Sequence, residues 1–498
     1  MAQPSVPVPV VSEPEQTFVW ADSSELLTAV PCCQATVDRN TRWLLDQIFD
    51  GLVEYAPGSS EIVPNLAESW EVSDDGLTWT FHLRDGVTFS DGTALTAQDV
   101  KYSIELALSP QSKVTLRIGG ILEIVAVDEH TVVVVTEQPN SAMLHGLQEV
   151  AGLVQSPNST PENPIGTGPY ILSEWNRGEN VVLERRDNYW GEVPKIETLN
   201  YLRRPEATTR VIQLLNGEVD MVGKVPPESI SELEQTEGVG VEIPGSSMLV
   251  GVRFNTRMPW FDNQLVRQAM NYAVNKRAIV DSLLLGAGYV PDGIAGHGVW
   301  GTYRVDYYPY DPDRAAALMQ EAGLTLFEGR WHDQGEPVVF RFYVPDGRYV
   351  KDRVIGEFVT QQLEDFGLTV ELEVAPWSIW ASNSRARANA LEIDGGMNGF
   401  SLVHPVINWA NDLHCRNENS RQTGHCDPVF DDLIDRATQT FDEDEQRSLY
   451  EQAQQMAIEK AMYLLLYGQS PVWGVRDGIQ GLSFTPNEIP ITDQVYIE

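Results

Sequence analysis

The sequence predicts an α/β protein carrying an inserted α+β subdomain. Three observations predict it. A β-rich block fills residues 56–164, strand and helix signals alternate from about residue 166, and the 498 residues are 42% hydrophobic and 21% charged. That composition is ordinary globular usage, and the length suggests about three domains' worth of chain. No fixed-period repeat interrupts the pattern.

Phe18-Val-Trp-Ala21 starts a short strand, followed by a loop through Pro31, Cys32 and Cys33. Trp43, Leu44, Gln47 and Ile48 share one face of a helix over 40–49. Residues 69–73 and 77–84 alternate as two strands joined across Asp74-Asp-Gly76. Thr96 and Asp99 make a capping-box start for a helix bearing Val100, Ile104 and Leu108. Residues 121–127 and 131–136 form another hairpin. Then come a helix over 207–215 stopped by Gly217, a strand over 218–222, and a long helix over 263–285 ended by Gly286. Pro312 opens the next helix and Gly323 stops it, the expected proline-in, glycine-out asymmetry. Residues 338–344 alternate as a strand, 350–366 form an amphipathic helix, and 368–374 alternate again. Two acidic helices occupy 428–461, and 462–467 is a buried strand.

Seventy-two Asp+Glu against 34 Lys+Arg leave a formal net charge of −38 at pH 7. Binding nucleic acid or an anionic leaflet needs clustered Lys/Arg to neutralise phosphate, so both are excluded as partners. No uncharged apolar run approaches the roughly 20 residues that span a bilayer. Residues 1–16, with Pro4, Pro7, Pro9 and Pro14, read as an extended tether without a signal peptide's basic and apolar regions. We expect it to be a spacer behind a lipid anchor carried by a longer precursor.

Cys415 and Cys426 enclose polar, loop-like residues. A disulfide there would stabilise by about 2–3 kcal/mol in the chain-entropy model and would imply an oxidising, extracytoplasmic compartment. The alternatives are free thiols or a metal held by His414-Cys415 and His425-Cys426, although sequence-adjacent ligands rarely reach one tetrahedral ion. The search for catalytic chemistry is negative: no nucleophile elbow, no H-E-x-x-H, no Walker loop and no C-x-x-C. Gly296-His-Gly298-Val-Trp-Gly301 matches G-x-G-x-x-G, but no strand precedes it and no helix follows. We therefore expect no enzyme, no cofactor and no metal. Thirteen Trp is high, and Trp260, Trp300, Trp377, Trp380, Trp409 and Trp473 fall in loop-like segments suited to a wet cleft.

Residues 65–93, beginning Asn65-Leu-Ala-Glu-Ser-Trp70, and then Leu95-Thr-Ala-Gln-Asp-Val-Lys-Tyr-Ser103, resemble the signature of extracellular solute-binding proteins of peptide/opine/nickel ABC importers (family 5). Gly166-Thr-Gly-Pro-Tyr170 with Arg186-Asp-Asn-Tyr-Trp190 looks like its second hallmark, and Phe254-Asn-Thr256, Val266-Arg-Gln-Ala269, Ala273-Val-Asn-Lys276 and Tyr310-Asp-Pro-Asp313 continue the match in order. The resemblance implies a two-lobed, large type II periplasmic-binding-protein-like fold. It implies a hinged protein, working as a monomer, that delivers a small-molecule solute to an ABC permease in the membrane. Residues 17–55, 165–258 and 470–498 would form a discontinuous first lobe, 56–164 the additional domain inserted in it, and 259–469 the second lobe. The resemblance also implies the Cys415–Cys426 disulfide.

Cleft candidates on this reading are Cys32, Cys33 and Gln34 after the first strand, and Asn398, Phe400, Trp409 and Asn411 before the disulfide. Trp300, Trp380 and Trp473 complete them. Peptide-binding relatives pair an Asp before that disulfide with the ligand's amino terminus, whereas 395–411 here contains no acid. Asn398, Asn408, Trp409 and Asn411 suit a hydroxyl-rich ligand, so an oligosaccharide stands beside a peptide, with a metal chelate as a third choice and an extracytoplasmic hydrolase as the rival class. Adjacent Cys32 and Cys33, if oxidised, would form a rigid ring able to pack on a flat ligand face; reduced, they are small buried hydrophobes.

Overall fold

The computed structural model describes residues 16–31, 39–109, 112, 120–149, 152–297, 299–305, 307–401, 404–405, 409, 413–416, 420 and 423–498. Cys32, Cys33, Gln34, Asn408, Asn411 and nearly all of the expected tether lie outside them.

Two large mixed sheets divide the chain into two lobes. The first runs in the order Val239–Glu242, Trp473–Arg476, Met221–Val222, Thr17–Asp22, Thr198–Arg203, Asn180–Arg185, Tyr170–Asn176. The second runs Gly288–Tyr289, Tyr463–Gln469, Met248–Phe254, Gly395–Ser401, Val339–Asp346, Thr369–Pro376. Each has its own apolar core, one around Trp20, Trp43 and Leu199, the other around Val252, Phe340 and Leu466. The chain passes between the sheets over residues 243–247 and again over 470–472. Met248–Phe254 pairs on both sides with second-sheet strands, so the first crossing precedes the expected boundary after 258.

The β-rich block forms a four-stranded antiparallel sheet, Ala67–Val72, Thr78–Leu83, Thr131–Thr136 and Ile121–Ala126, whose buried face packs on the helix Ala97–Leu108. Thr96 N donates to Asp99 Oδ2 at 2.9 Å, closing the expected capping box. Arg186 fastens this domain to the first lobe. Its guanidinium donates to the carbonyls of Gly166, Thr167 and Gly168 on one side and of Thr88 and Phe89 on the other. Gly166 is required there, because a Cβ would lie 2.1 Å from the Ile48 carbonyl oxygen.

Two local expectations fail. The helix over 263–285 is broken: Gln264–Ala273 ends at an extended Val274, and Asn275 caps a new start at Lys276–Ile279 by accepting from Ala278 N at 3.0 Å. The break lets buried Lys276 donate to the carbonyls of Asn271 (2.6 Å) and Tyr308 (3.0 Å), satisfying the end of the preceding helix. Burial lowers the Lys276 ammonium to about 7. The second failure is a missed helix, Trp377–Asn389, whose apolar residues lack a clear stripe.

Candidate functional site

In open α/β sheets ligands sit beyond the carboxyl ends of the strands. At that end of Val339–Asp346 the chain forms the loop 347–351, held from several directions. Asp352 accepts from the backbone N–H groups of Gly347 (3.1 Å), Arg348 (2.8 Å) and Tyr349 (3.0 Å). Val350 N donates to Gln469 Oε1 at 3.1 Å, next to the second interlobe crossing. Lys351 Nζ reaches Glu228 Oε2 of the first lobe at 3.1 Å. Being partly exposed, that pair contributes at most about 1 kcal/mol. Its value is positional, since it shows that this loop faces the first lobe.

Arg348, half-buried in the same loop, lies over Trp377 (5.3 Å) and Tyr349 (5.6 Å). Its Nε is buried without a hydrogen-bond partner, and among the described residues no carboxylate pairs with it. Beside it, Tyr349 OH donates to Asn398 Oδ1 at 3.1 Å, and Gly399 N donates to Tyr349 OH at 2.7 Å. On the first-lobe side, Asp22 ends its strand fully buried. Desolvation opposes its charge, but Lys224, Arg39 and Arg210 outweigh it and hold the carboxyl below the usual range.

The first crossing is clasped from both lobes. Ser246 Oγ donates to Glu488 Oε1 at 2.5 Å, Glu488 also pairs with Arg39, and Tyr289 OH donates to the Ser246 carbonyl at 3.0 Å. The clasp therefore links the start of the helix Arg39–Ile48, just after the loop expected to line the cleft, to the first crossing.

The other expected site residues separate into three groups. Trp473 is fully buried in the first lobe against Trp20 (5.7 Å) and Phe484 (5.2 Å). Trp380 packs between Trp377 (5.3 Å) and Tyr343 (6.0 Å), and Phe400 packs on Tyr463 (4.5 Å). Trp300 and Trp409 gather around Tyr450 together with His404. Cys415 and Cys426 are bonded to each other. Flanking His414 and His425 turn apart, to Asp435 Oδ1 (3.2 Å) and to the Phe254 carbonyl (3.0 Å). The metal alternative is thus left without its sulfur ligands. Among the described residues no group of three His, Cys, Asp or Glu is arranged to hold an ion.

Residues 61–415 match bacterial extracellular solute-binding proteins, family 5 Middle. The dipeptide-binding protein of Escherichia coli (strain K12) is 30% identical over 478 residues, covering 88% of this chain and 87% of the relative. This chain belongs to family 5. A dipeptide-binding protein from Pseudoalteromonas sp. SM9913 in complex with Met-Leu shares the fold with a TM-score of 0.82 and 24% identity over 97% of this chain and 100% of that one. NikA from Brucella suis in complex with Fe(III)-EDTA does so with a TM-score of 0.86 and 23% identity over 98% and 100%. Gly166–Tyr170 and Arg186–Trp190, the segments that resemble a family hallmark, form the joint between the inserted domain and the first lobe.

Asp46, Asp50, Glu54 and Asp493 crowd beside that joint. Asp50 accepts from Trp190 Nε1 at 3.0 Å. Burial, then the charges of Asp50 and Asp46, pushes Asp493 up to about 7, and burial raises Asp46 to about 6 even against Arg42. Glu54 is raised too, but its side chain is open to solvent, so the weight falls on Asp493. A carboxyl whose folded pKa lies above its unfolded value stabilises most below the unfolded pKa, and loses that contribution as pH rises through the folded one. Asp493→Asn should therefore raise Tm at pH 8 by about 2–4 °C, the shift that about 1 kcal/mol gives in a domain of 150–250 residues, and bring no gain at pH 4. Thermal unfolding at the two pH values checks this.

Proposed function

We propose that this family-5 protein captures a peptide-like solute between its lobes, outside the cytoplasm, and hands it to an ABC permease. The observation that carries the reading is the fixed loop 347–351. It faces the first lobe and presents Arg348, stacked on aromatic rings and, among the described residues, without an acidic partner. A guanidinium so placed fits the carboxylate of a peptide by paired charge-assisted hydrogen bonds. The names of the relatives support the same class, since the Escherichia coli protein is a dipeptide-binding protein. The burial of Trp380, Trp409 and Trp473, each less than a tenth exposed, weighs against the saccharide alternative, which needs free ring faces.

The lobes would belong to one open–closed equilibrium, shifted by a ligand that touches both walls when closed. We place the hinge at 243–247 and 470–472, the inserted domain at 56–164, and the lipid anchor in a longer precursor. No turnover is expected. Titrating the full chain with dipeptides, tripeptides, oligosaccharides and nickel chelates should give a tryptophan fluorescence change and a rise in Tm with peptides. A response confined to saccharides or chelates, or hydrolysis of any panel member, overturns the reading.

A further inference from the structure

The inserted domain rides on the first lobe. Besides the Arg186 joint, Gly51 bridges Leu153, Gln155 bridges Gly166, and Arg42 Nη2 donates to the Gln148 carbonyl at 2.8 Å. Its contact with the second lobe is of another kind. Ser141 Oγ donates to the carbonyls of Thr438 (2.9 Å) and Ala437 (3.2 Å), and Gln439 Nε2 donates to Gln138 Oε1 at 3.1 Å. Phe441 packs on Trp79 at 5.9 Å. The sharpest contact is a pair of imidazoles: His145 from the helix Met143–Gln148 stacks on His404 at 4.2 Å with 27° between the rings. All of these contacts join a domain that rides on the first lobe to the second lobe, so they are the contacts on which a rotation opening the lobes would act.

We propose that the His145–His404 stack is a proton-sensitive latch on the cleft, closed while both rings are neutral and released by acid. The inference rests on the solute-capture reading for its consequence, acid-driven release. The latch itself rests on the geometry of the joint.

His404 is 2% exposed, and among the described residues its Nδ1 has no hydrogen-bond partner. Trp300 lies parallel to it at 5.7 Å and Tyr450 meets it edge-on at 5.7 Å. His145 Nδ1 meets Tyr55 OH at 3.4 Å. Among the described residues the charged groups on the neighbouring elements do not pair with either imidazole. On the helix Arg39–Ile48, Arg42 pairs with Asp46; on the helix Glu443–Glu459, Arg447 lies over Trp300 at 5.2 Å. Glu149, at the end of the His145 helix, makes no ion pair with either imidazole among the described residues. Among the described residues no carboxylate pairs with either ring, so a proton on either would be a poorly solvated charge facing another imidazole.

Burial accordingly lowers His145 to about 4, and lowers His404 well below the ordinary value, with the His145 charge as its second cause. Opening returns both rings to water, where an imidazole titrates near 6.5. The open state thus takes up protons that the closed state refuses. Closure is fully favoured above about pH 6.5 and is lost as pH falls towards 4. One ring weakens the closed state about tenfold per pH unit in that window, and two rings weaken it about 100-fold at pH 5.5.

The test compares the wild type with His145→Phe, which keeps a stacked ring, and His145→Gln, both as full-length chains. Small-angle scattering without ligand at pH 7.5 and 5.0, with circular dichroism to exclude unfolding, reads the lobe arrangement. The wild type should expand reversibly in acid, and both variants should expand less and at lower pH. Met-Leu binding, followed by tryptophan fluorescence, should weaken about 100-fold from pH 7.5 to 5.5 in the wild type and about tenfold in the variants. Unchanged wild-type scattering, or variants that follow the wild-type pH profile, overturns the latch. If no peptide of the panel binds at pH 7.5, the solute class falls, and the scattering still decides the latch.

Discussion

Arg186→Met should cost about 3–5 kcal/mol and split thermal unfolding into two transitions. The side chain is 4% exposed and donates to five carbonyl oxygens drawn from two domains. Methionine fills a similar volume but donates nothing, so those carbonyls lose a charged donor in a place water enters poorly. Arg186→Lys should recover part of the loss, because an ammonium carries three donors where these carbonyls are met by two terminal nitrogens in a planar fork. The loss falls on the joint rather than on either core. The inserted domain, with its own sheet and apolar cluster, should then melt apart from the lobes, visible as two calorimetric peaks. One peak at the wild-type temperature would show that the joint is held elsewhere. Gly166→Ala should act on the same joint, since its new Cβ cannot coexist with the Ile48 carbonyl.

The hallmarks around this joint were legible as a pattern before their physics was. Gly166–Tyr170 and Arg186–Trp190 stand out in the sequence, but neither spacing nor composition says that they meet across 20 residues. Periodicity places most elements well because they bury one face: in Thr78–Leu83, buried Trp79, Phe81 and Leu83 alternate with half-buried Thr78, Thr80 and His82. It failed at 263–285, where the apolar stripe runs on and the break is made by Asn275 and a buried Lys276, polar groups a hydropathy pattern does not weigh.

The candidate site was harder to read, for a related reason. Tryptophan in a loop-like segment suggests a cleft, yet Trp473 lies in a strand and Trp380 in a helix. Arg348 and Lys351 carry no signal in the sequence, because a charged residue after a strand looks like solvated surface until the lobe it faces is known. His404 and His145 are 259 positions apart, and only the meeting of the inserted domain with the second lobe makes them a pair. The available signal was the strand end before Gly347, the position where α/β sheets place their ligands.

That signal leads to the prediction with the largest effect on binding. Arg348→Met should weaken binding of free peptides about 100-fold while leaving the ligand-free Tm within about 1 °C, because the side chain is half-buried and makes no ion pair among the described residues. Loss of affinity alone would not identify the partner atom, so the peptide must be varied with the protein. A Met-Leu amide lacks the carboxylate; it should bind the wild type about as weakly as Met-Leu binds the variant, and should lose little more when Arg348 is changed. The double-mutant cycle then isolates the guanidinium–carboxylate coupling at about 2–4 kcal/mol, the range for a charge pair closed away from water. Equal losses for the acid and the amide would give no coupling, and would assign Arg348 to packing on Trp377 instead of to the ligand's carboxylate.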